Sequence, residues 1–165
     1  MNRSQFLASV LALAVVAACS RVPPLANTRA SANDVAIAVL DGLARGDRGG
    51  LEALAVSETE FRDQVWPQLP AARPERNLPF SYVWGDLRQK SAGALNNTLV
   101  RVGGQRYELV SVSFSGRTDY DTYTVHREAT FRVRESAGEQ TDLRVCGSMI
   151  EKDGAWKVFS YVVDD

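Results

Sequence analysis

Arg127 makes the strongest demand on its surroundings. It interrupts the alternating series Tyr123, Val125, Ala129, Phe131 and Val133, where the next inward side chain belongs. A charge in a buried row is costly unless it is paired. Three arrangements meet the demand. The guanidinium anchors an anion at the base of a pocket, it pairs with a structural carboxylate, or a bulge turns it outward. On any of these readings Arg144 and Glu108 are candidate ion-pair partners across the sheet. His126, the single histidine, falls on the polar side of the same strand with Thr124, Glu128 and Arg132, and reads as solvated. No second His or nearby Cys offers it a metal-site partner, so no metal or cofactor is expected. Asp119-Tyr120-Asp121 reads as a solvated loop. Cys146, between Val145 and Gly147, reads as a buried and inert thiol. There is no Ser-x-x-Lys and no Gly-x-Ser-x-Gly. The aromatics Trp66, Tyr82, Trp84, Trp156, Phe159 and Tyr161 can line an apolar cavity or form plain core. Trp66 and Trp84 flank a Pro-rich stretch and are placed at a pocket rim with Tyr82, and Asp63 and Asp86 lie beside them.

The elements that must position these residues change period halfway along the chain. Residues 34–45 carry a helical stripe through Val35, Val39 and Leu43, with Ser31 or Asn33 as its cap. A short helix is expected at about 50–55. Ser57-Glu58-Thr59-Glu60 is a capping box opening a helix that Pro67 stops. Pro70, Pro74 and Pro79 mark residues 67–79 as a wrapping loop. A longer helix follows, with Val83, Leu87, Ser91, Ala94, Leu95, Thr98 and Val102 on one face and Gly103-Gly104 at its end. From Arg106 the period falls to two, with strands at 107–114, 122–134, 141–151 and 155–163. Turns are expected at Ser136-Ala137-Gly138-Glu139 and Lys152-Asp153-Gly154. Helices first and a meander of four strands after them define an α+β domain, residues 34–165. The chain has 19 basic and 20 acidic residues and no basic stripe, which gives no reason to expect a nucleic-acid partner.

The N-terminus has an address. Met1-Asn2-Arg3 precedes an apolar stretch, residues 6–18, too short for the roughly 20 residues that cross a bilayer. It closes on Val16-Ala17-Ala18-Cys19, which resembles the lipobox of bacterial lipoproteins. The resemblance implies removal of residues 1–18, a diacylglycerol thioether on Cys19 and commonly a third acyl chain on its amino group. Two or three chains hold a protein on a membrane almost permanently. Ser20, rather than Asp, implies the outer membrane, facing the periplasm. Residues 19–33, with Pro23-Pro24 and no apolar period, are expected to be a flexible tether lifting the domain off the bilayer. With Cys19 acylated, only Cys146 remains, and no internal disulfide can form.

The element order, with the ending Asp153-Gly154-Ala155-Trp156-Lys157-Val158-Phe159-Ser160-Tyr161, resembles the nuclear-transport-factor-2-like, or ketosteroid-isomerase-like, superfamily. That resemblance covers about residues 33–165. It implies a cone, in which a strongly curved four-stranded antiparallel sheet wraps around the N-terminal helices and leaves a pocket. The Pro-rich insert 67–79 is extra and would cover or narrow the cone mouth. Enzymes of the superfamily use ionisable residues inside the cone, and a buried Asp63 or Asp86 would be the base of an isomerase or dehydratase. The favoured expectation is a non-catalytic module binding a small apolar ligand or a partner protein, with a homodimer through the sheet face as one form. The enzyme and a purely structural envelope lipoprotein are the alternatives.

Overall fold

A computed structural model describes residues 22–163, so Cys19 and the signal segment lie outside the described residues. Ser31 caps α1 (Ala32–Arg45), its Oγ accepting the Asp34 N–H at 3.1 Å. The expected stripe is buried at Val35, Val39, Leu40 and Leu43. Asp47 caps α2 (Arg48–Leu54). The Ser57–Glu60 capping box is present and opens α3 (Glu58–Glu60). The chain then widens into a π-turn, Phe61–Val65, which turns Phe61, Gln64 and Val65 inward. The expected loop at 67–79 is instead a run of 3₁₀ turns, Trp66–Gln68, Pro70–Ala72 and Pro74–Arg76, each with Pro in its first positions. Pro suits those positions because the N–H it lacks has no partner there. The long helix α4 is Phe80–Val102. Its fully buried residues, Leu95, Thr98 and Val102, lie in the C-terminal half, while Phe80, Val83, Trp84 and Leu87 of the N-terminal half are half-buried against the cluster around Phe61, and Ser91 is half-buried.

The sheet has five strands, not four: β1 (Glu108–Asp119), β2 (Thr124–Arg134), β3 (Gln140–Leu143), β4 (Ser148–Lys152) and β5 (Ala155–Ser160). Its order is β1-β2-β4-β5, all antiparallel, with β3 also on β2. The strand expected at 141–151 breaks at residues 144–147. From Arg127 to Phe131 β2 advances four residues while its partner passes through five, from Ser148 back to Leu143. Glu128, inside that stretch, has φ 54, a left-handed conformation uncommon outside Gly. The apolar row divides there. Tyr123 and Val125 pack with Phe61, Val65 and Ile150, whereas Ala129, Phe131 and Val133 pack with Val35, Leu43 and Leu95. Arg127 stands at the division and is exposed.

Residues 23–29, expected within a tether, are fastened to the domain. The Pro23 carbonyl accepts from Gln64 Nε2 at 3.0 Å, Leu25 is buried, and the Ala26 N–H donates to Glu60 Oε1 at 2.7 Å. Arg29 pairs with Trp156 on the edge of β5 through two backbone bonds. Glu60 is the joint. Its carboxylate also accepts from the Ser57 N–H at 2.8 Å and from Lys157 Nζ at 2.9 and 3.1 Å, and both charged side chains are buried. Burial pushes the Glu60 carboxyl up, but the Ser57, Lys157 and Ala26 donors outweigh it and hold the group below its usual range.

Candidate functional site

The N-terminal half of α4 has a cleft on each flank, the two sharing Leu87 and Phe159. The first, about 420 Å³, lies against α2 and α3 and is lined by Val56, Trp84, Ser91 and Tyr161 among others. The second, about 480 Å³, is walled by Phe61, Leu69, Val83 and Val125 and edged by Arg127, Arg144, Lys90, Asp86 and Glu128. A wider depression of about 810 Å³ runs along α1 past Asp34, Asp41 and Arg45, and none of the candidate residues lines it.

Arg127 reaches the second cleft because Gly116, its partner on β1, has no side chain. A Cβ at Gly116 would lie 3.1 Å from both Nε and Nη2 of Arg127. Glu108 pairs with neither Arg127 nor Arg144. It pairs with Arg134 at 2.8 Å, and Arg144 brings a second guanidinium to the same cleft. Among the described residues Arg127 forms no ion pair. The cleft therefore joins an aromatic and aliphatic wall to a charged edge on which two guanidiniums outnumber the Glu128 carboxylate, since Asp86 and Lys90 pair with each other.

The other candidates scatter. Trp84 lines the first cleft and packs on Phe61 at 5.2 Å between ring centroids. Its indole N–H is buried without an acceptor among the described residues, which costs about 1–3 kcal/mol. Trp66 is not at either rim; it packs edge-on against Phe80 at 5.8 Å in the core beneath the 3₁₀ turns. Tyr82 is 67% exposed and lines neither cleft, because it falls on the outer side of α4. Asp63 is exposed on the π-turn and lines neither cleft. Asp86 does edge the second cleft, but it is exposed and paired with Lys90 at 2.9 Å, one helical turn on. The desolvation that makes a carboxylate a strong base is missing at both.

One expectation about the strands needs correction. His126 is not solvated. Its ring stacks on Trp156 at 4.5 Å, lies 5.1 Å from Phe114, and Nε2 bonds Glu151 at 2.9 Å. Trp156 is thereby drawn into this stack and lines neither cleft. Cys146 is fully buried as expected, and burial pushes its thiol up to about 12. The reading of single residues missed Phe61, Leu69 and Arg144 as lining of the second cleft. Arg144 had a signal: like Arg127, it interrupts an otherwise apolar run, Leu143 to Ile150.

Among the described residues no group of three His, Cys, Asp or Glu could hold a metal ion, and no helix is long and apolar enough to cross a membrane. Comparison with protein-family models, with curated proteins and with solved structures finds no match.

Proposed function

We propose that this chain is a lipid-anchored protein of the bacterial envelope whose domain, a nuclear-transport-factor-2-like cone, binds a small amphipathic anion without transforming it. The observation that carries the reading is the second cleft. Its apolar wall of Phe61, Leu69, Val83 and Val125 meets Arg127 and Arg144, a pairing suited to an acyl chain with a carboxylate head. The volume, about 480 Å³, is within the ordinary range for small-molecule sites. The exposure of Asp63 and the Asp86–Lys90 pair argue for binding over proton abstraction. The signal resemblance at Val16-Ala17-Ala18-Cys19 supports the anchor and the periplasmic face of the outer membrane as its location.

The test uses laurate as the probe, titrated by calorimetry into protein stripped of lipid. Binding should be lost in Leu87→Trp, which fills the space shared by the two clefts. It should weaken a few-fold in Arg127→Ala, the effect of a partly exposed charge. Laurate that does not bind, or that binds both variants as it binds the parent, sinks the reading.

A further inference from the structure

The fastening of residues 23–29 decides how the domain meets the membrane. A tether of fourteen or so free residues would let it tumble away from the bilayer, but little of that length is free. Pro23 is held by Gln64, Leu25 is buried, and Ala26 is held by Glu60. From Cys19 to Pro23 the backbone spans at most about 14 Å, at about 3.6 Å for each of four steps. We propose that the end of the domain built from the π-turn, the 3₁₀ turns and the start of α4 rests on the phospholipid bilayer, held there by this short link. The inference rests on Cys19 being lipidated.

The surface at that end suits a lipid headgroup layer. Of the six large apolar side chains exposed among the described residues, Val22, Leu78 and Tyr82 are here. Leu78 and Tyr82 flank Phe80, which packs on Phe61, one turn before the Gln64 that holds Pro23. An exposed Tyr beside aliphatic side chains is the composition that favours a membrane–water interface. Arg62, Arg73 and Arg76 balance Glu58, Asp63 and Glu75, so no net negative charge repels anionic lipid. Leu69 and Val83 join this end to the second cleft and bring its mouth near the bilayer. The opposite pole is well separated. Tyr123 Oη donates to the Val65 carbonyl at 3.2 Å, which fixes the start of β2 at the π-turn. The hairpin at residues 135–139 lies beyond the far end of β2, about 30 Å away at about 3.3 Å per residue.

The experiment uses the full chain expressed in bacteria, reconstituted into phosphatidylcholine vesicles with brominated acyl chains, and a bimane label at one introduced cysteine. Tyr82→Cys reports the proposed contact and Glu139→Cys the opposite pole; buried Cys146 and acylated Cys19 do not label. Intact mass on the same preparation reads the lipid on Cys19 independently. The expected result is a lipidated mass, loss of bimane intensity at position 82 and none at 139. A lipidated protein quenched at 139, at both positions or at neither overturns the docking while the anchor stands. A mass without lipid overturns the anchor, and the docking with it. A flexible Gly-Ser segment inserted between Ser20 and Arg21 should relieve the quenching at 82, and persistence of quenching there refutes the short-link argument.

Discussion

Replacing Lys157 by Met tests the account of how the N-terminal segment is held. The substitution preserves most of the side chain's volume and removes its charge. It leaves the Glu60 carboxylate buried, with the Ser57 and Ala26 N–H groups as its remaining donors. Breaking one side of a buried ion pair costs about 3–5 kcal/mol, because the orphaned charge stays desolvated. The two backbone donors keep part of the stabilisation, which puts the expected loss near the lower bound, about 3 kcal/mol. With a urea dependence of about 2 kcal/mol per molar, the unfolding midpoint should fall by about 1.5 M. The Glu60→Gln/Lys157→Met double variant should recover part of the loss, since neither partner is then charged. Urea unfolding followed by tryptophan fluorescence reads both, and limited proteolysis should cut near residues 22–30 more readily in Lys157→Met. A midpoint shift below about 0.5 M with an unchanged slope refutes the reasoning, because the buried pair would then contribute no more than an exposed one. The pH dependence has a fixed sign. A carboxyl held low in the folded state stabilises fully above its unfolded value, near 4.5, and the gain is lost as pH falls through the lowered folded value. Glu60→Gln should therefore flatten the acid limb of stability below about pH 4.5.

Three further outcomes are expected. Cys19→Ala should move the protein from the membrane pellet to the soluble periplasmic fraction; a variant that still pellets refutes the anchor. Gly147→Ala should cost about 1–3 kcal/mol or more, because a Cβ there overlaps the Val162 carbonyl on the neighbouring C-terminal segment, and thermal unfolding measures the loss. Cys146, its thiol pushed to about 12 by burial, should resist iodoacetamide at pH 8 in the folded protein and react on unfolding; brisk alkylation of the native state contradicts its burial.

Much of the fold was legible because its signals are local. The α1 stripe, the Ser57–Glu60 capping box, the β2 alternation and the Gly154 turn depend on residues a few positions apart, and the structure keeps all four. The misses involve partners distant in the chain. The strand at 141–151 reads as continuous because no Pro interrupts its largely apolar run, and only pairing with both halves of β2 breaks it. His126 reads as solvated because its strand neighbours are polar, while the Trp156 that covers it comes from β5. Residues 19–33 read as a tether because Leu25 is isolated among polar residues and Pro, and its burial depends on a surface made elsewhere.

The sequence by itself determined the class of domain and the change from helix to strand, since periodicity and capping act within one segment. Tertiary structure decided the site. It laid Arg127 over Gly116, brought Arg144 to the same cleft, and left a cleft on each flank of α4 that meets at Leu87 and Phe159. It also brought Lys157 to Glu60, 97 residues away. A charge in an apolar row is compatible with several surroundings, and only the packed sheet selects one.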